Sequence, residues 1–322
     1  MEIGSFIELQ MPSGMEYFKD NNDGMEVARL NTGRAAIYHA FTLTSCNTIW
    51  LPYYQCETVK EFLERKGVKC KYYHIDSKFN PVLLTPEDNE AVLIVNYYGI
   101  MSCFRMASLA NKYKNVIVDN SQAFFAKPID KCMNVYSARK FVGVPDGAYV
   151  VGNNSTKSMD LYEQGYSSDT ALFMLQRIEY GCEGKAYISR TENEDRIDIE
   201  DCKKMSKLTR YILDGTDYEF IKNKRKENYC IAHSLFGEVN KLNTMAYYDD
   251  TCVPMVYPLL IEDDELLKKM LHAKHFQGHW WRWVEENPES NEFEKWISRY
   301  MIPITIDQRY GIEELEFLRG IL

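Results

Sequence analysis

Short, continuously apolar runs that alternate with helical segments constrain the fold of this chain most. Parallel strands buried on both faces have runs of this kind, whereas half-exposed strands alternate apolar and polar residues. The helical segments between them indicate βαβ units, so we predict an α/β fold with a mainly parallel central sheet flanked by helices. The predicted strands are Asn47–Leu51, Lys71–Ile75, Ala91–Asn96, Asn115–Asp119, Asn134–Ser137 and Gly147–Val151, with helices at Cys56–Lys66 and Phe104–Tyr113.

The pattern changes after residue 158. Periodic segments predict two long helices, Ile199–Asp214 and Tyr218–Phe236. We predict a large α/β domain over residues 1–240 and a smaller α+β domain over residues 241–322, although the first 25 residues could pack with the smaller one. The elements predicted in the smaller domain are the strands Pro254–Ile261 and Met301–Ile306 and the helices Asp263–Ala273 and Ile312–Leu322.

Charge and cysteine pattern narrow the possible functions. The net charge of −9 and the pI of about 5.3 argue against a broad basic surface for nucleic acid. No apolar run is long enough to span a bilayer, and MEIGSFIELQMPSG has no signal-peptide pattern. The nine cysteines show no CxxC pair or metal-ligand spacing. We therefore expect a cytoplasmic protein with reduced thiols and no bound metal.

A first candidate site segment is NTGRAAIYHAF, residues 31–41. It reads as a helix start, where free backbone N–H groups favour a phosphate and Gly33 lets an anion approach the backbone. Arg34 adds a fixed positive charge. An ordinary helix start without a ligand remains the alternative.

Two further segments end predicted strands. In LPYYQC the tyrosines, Tyr54 among them, could lie against a planar heterocycle or simply be buried. In NVIVDNSQAFFA the carboxylate of Asp119 closes an apolar strand, where open α/β sheets bind ligands, and Gln122 follows three residues later. Asp119 could equally cap the next segment.

The fourth segment is YSARKFVGVPDGAYVV, residues 136–151. It places Lys140 between two predicted buried strands, with a Pro-Asp-Gly turn behind it. A structural lysine here needs a carboxylate partner or access to water. In a catalytic lysine, burial and cationic neighbours would make the amine a nucleophile.

In this order, the four segments resemble the DegT–StrS-type sugar aminotransferases, a family of fold type I enzymes that depend on pyridoxal 5′-phosphate (PLP). NTGRAAIYHAF is similar to the family's Ser-Gly-Thr-Ala-Ala-Leu segment, and VDNSQAFFA to its Asp-x-x-Gln-Ala segment. LPYYQC and KYYHID are similar to its Pro-Ser-Phe strand end and to the Val-Asp-Ile-Asp strand that follows. VNYYGI is similar to its His-Leu-Tyr-Gly element, and YSARKFVGVPDGAYVV to its Lys-…-Gly-Gly-Ala segment. The resemblance covers most of residues 30–152 and, more loosely, the C-terminal part.

The resemblance implies roles for individual residues. Lys140 would form the Schiff base with PLP and move the proton during catalysis, while Asp119 would pair with the ring nitrogen. Gln122 would bond the ring hydroxyl, and Tyr54 or a neighbour such as Cys56 would stack on the ring. The phosphate would be held by Gly33, Arg34 and Ser137. The substrate would meet three aromatic residues of VNYYGI and HWWRW: Tyr98, His279 and Trp280.

The resemblance also implies an activity. It predicts a homodimeric transaminase that transfers an amino group, commonly from glutamate, to a keto-sugar, often nucleotide-linked, in surface-polysaccharide biosynthesis. Two alternatives stay open. One is a PLP enzyme with another donor or acceptor, or one that catalyses an elimination. The other is a relative that binds sugar or a partner without catalysis. The aromatic run HWWRW could clasp the substrate or seal the domain junction.

Overall fold

A computed structural model describes residues 3–19 and 24–322. The strands are β1 Glu26–Leu30, β2 Thr48–Pro52, β3 Lys69–Ile75, β4 Pro81–Val82, β5 Glu90–Val95, β6 Val116–Asn120, β7 Met133–Ser137, β8 Ala148–Gly152, β9 Glu163–Gln164, β10 Lys203–Lys204, β11 Val256–Leu260 and β12 Met301–Thr305. The helices are α1 Gly33–Thr42, α2 Glu57–Arg65, α3 Cys103–Ala110, α4 Leu172–Tyr180, α5 Lys185–Ile199, α6 Lys207–Asp214, α7 Tyr218–Phe236, α8 Leu266–His272, α9 Trp283–Glu286, α10 Glu292–Tyr300 and α11 Ile312–Arg319.

A large mixed sheet forms the centre of the protein, in the order β4-β3-β2-β5-β6-β7-β8-β1-β10-β9. Its central strands β3, β2, β5, β6 and β7 are mutually parallel, as the apolar runs predict. Strand β8 is antiparallel to both β7 and β1. The predicted α/β fold with flanking helices is therefore confirmed.

The C-terminal part adds a separate two-stranded antiparallel sheet, in which β11 pairs with β12. Helix α7, which has the bounds predicted from the sequence, packs against both β11 and α11. The proposed division into domains at residue 240 stays a prediction. Across residues 3–19 and 24–322, no helix combines the length and the apolar character needed to cross a membrane.

One predicted helix, Ile199–Asp214, is wrong in its first half. Helix α5 ends at Ile199, and the chain then pairs with the sheet, because Met205 N–H donates to the carbonyl of Arg29 (3.1 Å). Helix α6 begins only after Ser206, whose hydroxyl accepts the N–H of Thr209 (3.1 Å) and caps the helix.

The N-terminal segment packs on the central sheet. The ring of Phe18 packs against Tyr136 and Tyr149, at centroid distances of 4.4 and 5.1 Å. The carboxylate of Glu16 accepts hydrogen bonds from Arg29 (2.7 Å) and from the hydroxyl of Tyr149 (2.9 Å). The partners of Glu16 and Phe18 thus belong to strands β1, β7 and β8 of the central sheet.

Candidate active site

The candidate residues come together at one edge of the central sheet. Strands β5, β6 and β7 are parallel, so their carboxyl ends meet at this edge. Strand β1 runs in the same direction as β7, because both are antiparallel to β8. Helix α1, which follows β1, therefore begins at the same edge. This topology brings the four segments identified in the sequence together.

The start of α1 offers hydrogen-bond donors for an anion. The hydroxyl of Thr32 caps the helix by accepting the N–H of Ala35 (3.2 Å). The N–H groups of Gly33 and Arg34 have no acceptor within the part of the chain that the structure describes. These donors lie at the positive end of a helix macrodipole, where an anion is stabilised.

Two serine side chains lie next to the start of α1. A Cβ placed on Gly33 would lie 3.3 Å from Ser121 Oγ and 4.0 Å from the Cβ of Ser137. The two serine residues are 7% and 6% exposed, and neither hydroxyl makes a hydrogen bond among residues 3–19 and 24–322. Ser137 was a predicted phosphate ligand. Ser121 was not among the predicted ligands, although its position two residues after Asp119 places it at the same strand end.

The two arginines of the candidate segments are neutralised by α5. Arg34 pairs with Asp198 (Nη2–Oδ1, 2.5 Å), and Arg139 pairs with Glu194. One nitrogen of the Arg34 guanidinium is therefore bound to a carboxylate of the protein. The predicted phosphate contact of Arg34 stays a prediction, and the ion pair with Asp198 competes with a contact through its cation.

Asp119 and Gln122 each keep one polar atom free. Asp119 Oδ1 accepts the N–H of Ser121 (2.8 Å), while Oδ2 has no partner within the described chain. Gln122 Oε1 accepts the N–H of Tyr98 (2.7 Å), which fixes the orientation of its amide. Its Nε2 makes no hydrogen bond to another residue in the same described ranges. The pair thus offers one acceptor and one donor to a ligand.

Lys140 ends a short 3₁₀ turn directly after β7. The turn is held by hydrogen bonds from Phe141 N–H to the carbonyl of Ala138 (2.9 Å) and from Ala138 N–H to that of Gly147 (3.1 Å). The side chain of Lys140 is exposed and makes no ion pair or hydrogen bond with any described residue. The structure therefore provides a free amine at this edge of the sheet.

Asp146 stabilises the turn behind the lysine, a role that sequence reasoning missed. Its buried carboxylate accepts the N–H (2.9 Å) and hydroxyl (2.7 Å) of Ser206 and the hydroxyl of Thr209. These residues start α6, so one carboxylate joins the turn to that helix. The Pro-Asp-Gly pattern indicated a turn, but the partners of Asp146 lie about 60 residues away and left no local signal.

Tyr54 and Tyr98, for which the sequence predicts contacts with the cofactor and the substrate, are enclosed by the protein in this structure. Their hydroxyls are hydrogen-bonded to each other (2.6 Å), and both side chains are fully buried. Trp281 covers the ring of Tyr54 edge-on at 4.6 Å. Burial raises the pKa of both tyrosines. Neither ring has a free face in this structure for a cofactor or a substrate.

The HWWRW run mainly seals the contact between the sheet and the C-terminal part. The ring of Trp280 lies 5.8 Å from that of Tyr98, and Trp283 Nε1 donates to the carbonyl of Gln55 (2.9 Å). His279 Nδ1 is bonded to the carbonyl of Met301 (3.1 Å), and burial lowers its pKa. His279 also lines an open depression of about 720 Å³ whose lining does not include Lys140 or Asp119.

Comparisons with known proteins agree with this fold. No family model matches the sequence, and no curated protein does. Among solved structures, a sugar aminotransferase from Micromonospora echinospora matches with a TM-score of 0.62 at 13% identity, over 92% of this chain and 86% of that chain. A DegT DnrJ EryC1 StrS aminotransferase from Brucella abortus matches with a TM-score of 0.58 at 11% identity, over 92% and 84%.

A third similar structure is a dehydratase. The GDP-4-keto-6-deoxy-D-mannose-3-dehydratase of E. coli, solved with bound hydrated PLP, matches with a TM-score of 0.63 at 12% identity, over 97% of this chain and 99% of that chain. The chain therefore has the fold type I architecture of the DegT–StrS-type sugar aminotransferases and of this dehydratase.

Proposed function

We propose that this protein is a PLP-dependent enzyme that modifies sugars. The observation that carries the proposal is the free amine of Lys140 at the sheet edge that also holds the start of α1. Gly33, Ser121 and Ser137 form a small cradle of N–H and hydroxyl donors there, which fits a phosphate. A lysine, a strand-end carboxylate and an anion cradle together fit PLP.

The chain's own residues divide the work of binding and proton transfer. The N–H groups of Gly33 and Arg34 and the hydroxyls of Ser121 and Ser137 hold the phosphate. Asp119 Oδ2 keeps a proton on the ring nitrogen, and Gln122 Nε2 donates to the ring oxygen. Lys140 anchors the cofactor and then moves a proton at the substrate carbon. PLP itself supplies the electron sink that stabilises negative charge at that carbon.

The reaction we propose is transfer of an amino group from an amino acid, preferably glutamate, to a keto-sugar. Two of the similar structures are described as aminotransferases, one of them as a sugar aminotransferase. The nucleotide-linked form of the sugar, the role in surface-polysaccharide biosynthesis and the cytoplasmic location are parts of the same proposal and come from the sequence resemblance.

Elimination is the second candidate reaction, because the E. coli dehydratase matches over nearly its whole length. A lysine at position 140 favours transamination, since the resembling family's dehydratase branch has histidine there. The two reactions differ in what happens to the amino donor. A transaminase must consume one amino group for each amino-sugar formed, whereas a dehydratase returns the donor nitrogen as ammonia or leaves it on the cofactor.

The test is a half-reaction with glutamate. The PLP-loaded protein should convert stoichiometric glutamate to 2-oxoglutarate and leave the cofactor in its amino form. Lys140→Ala should abolish this conversion, while Lys157→Ala, which removes another exposed lysine whose side chain makes no hydrogen bond or ion pair with the described residues, should leave it unchanged. Failure of the wild-type protein to bind PLP at saturation would sink the proposal.

We also propose that the protein is a homodimer. Helix α4 has no buried residue, and its side chains Leu172, Leu175 and Ile178 are 50, 55 and 81% exposed. Exposed apolar helix faces of this kind mark interaction surfaces. Light scattering should give twice the monomer mass, and Leu175→Lys with Ile178→Lys should halve it. A monomeric wild-type protein at micromolar concentration would contradict this.

A further inference from the structure

A loop of the C-terminal part reaches the residue next to Lys140. The side-chain amide of Gln308 donates its Nε2 hydrogen to the carbonyl of Phe141 (3.0 Å). Phe141 directly follows Lys140 and closes the 3₁₀ turn that carries it. The hydrogen bond spans 167 residues of sequence, so the turn is fixed by a distant part of the chain as well as by its own backbone.

The loop that carries Gln308 is itself fixed by α7. Asn228 is fully buried, and its Nδ2 contacts the carbonyls of Ile306 (3.2 Å), Asp307 (3.2 Å) and Tyr310 (3.0 Å). Asp307 also makes a two-point ion pair with Arg309, at 2.8 and 2.7 Å. These contacts fix the backbone on both sides of Gln308. The side chain of Gln308 therefore extends to Phe141 from a fixed backbone position.

Arg225, one turn before Asn228 on α7, holds the other side of Phe141. Its guanidinium lies 4.5 Å from the centre of the Phe141 ring and donates to the carbonyl of Met255 (2.9 Å). Arg225 is 2% exposed, and a buried cation over an aromatic face is a favourable arrangement. Burial lowers the pKa of Arg225 to about 10, so it stays charged at neutral pH.

We propose that Gln308 is a positioning residue for Lys140, acting through the carbonyl of Phe141. Together with Arg225, it holds the lysine turn between α7 and the loop at residues 306–310. The Lys140 amine has no ion pair or hydrogen bond to any described residue, so no polar contact of its own holds the side chain, and the backbone of the turn sets the point from which it extends. The catalytic part of this inference rests on the proposed function, whereas the fixing of the turn does not.

The first experiment uses the protein without cofactor. Hydrogen exchange of the backbone amides of residues 138–142 is compared in the wild type, in Gln308→Leu and in Gln277→Leu. The control, Gln277, donates a side-chain hydrogen bond to Thr305 in the same region but does not contact the lysine turn. We expect about 10-fold faster exchange in Gln308→Leu, as for the loss of one hydrogen bond, and no change in the control. Equal exchange in all three proteins would overturn the proposal.

The second experiment separates positioning from substrate binding. In the PLP-loaded protein, Gln308→Leu should lower kcat for the glutamate half-reaction about 10-fold and change KM less than about twofold. A raised KM at unchanged kcat would make Gln308 a substrate contact and overturn the proposal. If the wild type binds no PLP while the exchange difference persists, the proposed function fails and the fixing of the turn by Gln308 stands.

Discussion

The N–H of Gly147 donates to the carbonyl of Asn31 at 2.7 Å, and this contact joins the lysine turn to the start of α1. The carbonyl of Gly147 in turn accepts the N–H of Ala138, two residues before Lys140 (3.1 Å). One residue therefore connects the proposed phosphate cradle to the proposed catalytic amine. Gly147 has φ +119°, a backbone conformation that favours glycine.

Gly147→Ala should destabilise the protein by about 2–3 kcal/mol. The new Cβ would lie 2.9 Å from Thr209 Cγ2, in addition to the backbone strain. The measurement is the urea unfolding midpoint. Gly143→Ala is the matched control, because its Cβ would meet no atom within 4 Å, and it should change stability by less than about 0.5 kcal/mol. Equal effects of the two substitutions on stability would contradict the role of Gly147 in joining the lysine turn to the start of α1.

Gly33→Ala should weaken PLP binding about 10-fold with little change in stability. The Cβ would occupy the space next to Ser121 Oγ, at 3.3 Å, where we place the phosphate. The measurement compares the affinities for PLP and for pyridoxal, which lacks the phosphate. The comparison separates a loss of phosphate binding from a general loss of ligand binding. Binding of pyridoxal should change less than about twofold, since it does not use the cradle. An equal loss for both ligands would argue against a phosphate at α1.

The central strands and the polar residues at their carboxyl ends could be predicted from the sequence, because both leave local patterns in it. Apolar runs identified the central strands, and the polar residues that close them, Asp119 and Ser137, lie at the expected ends. Strand β1 was not predicted; its carboxyl end precedes the phosphate segment. Its short sequence, EVARL, has no distinctive pattern, and its pairing with β8 connects residues more than 100 positions apart.

The side chains of the tyrosines could not be predicted in the same way. Whether an aromatic at a strand end faces a ligand or the interior depends on what the rest of the chain places over it. Here Trp281, more than 200 residues away, covers Tyr54. The ion pair of Arg34 with Asp198 on α5 is a similar case, because no local pattern links residues so far apart.

Tyr54→Phe should lower stability by about 1–2 kcal/mol, because it leaves the buried hydroxyl of Tyr98 without its partner. The absorbance spectrum and affinity of bound PLP should not change, since the Tyr54 ring is enclosed by the protein. Thermal unfolding and a PLP titration measure the two effects. A large loss of PLP affinity at unchanged stability would restore the stacking role expected from the sequence.

His275 should make the protein less stable in mild acid. Burial lowers the pKa of its imidazole from 6.5 to about 4, so the unfolded chain binds a proton between these values while the folded protein does not. Stability is therefore present above pH 6.5 and is lost as the pH falls towards 4. His275→Leu should flatten this dependence in urea unfolding series, whereas replacing the exposed His272 by glutamine should not. If the free energy of unfolding of His275→Leu depends on pH as steeply as that of the wild type, this explanation is contradicted.

The most direct test of the central claim is to locate the lysine that binds PLP. The protein is incubated with PLP, reduced with borohydride and digested, and the labelled peptide is identified by mass spectrometry. We predict a single phosphopyridoxyl group on Lys140 at a stoichiometry near one, and no specific labelling of Lys140→Arg. Label distributed over other lysines, or equal labelling of Lys140→Arg, would contradict the assignment of Lys140 as the cofactor lysine.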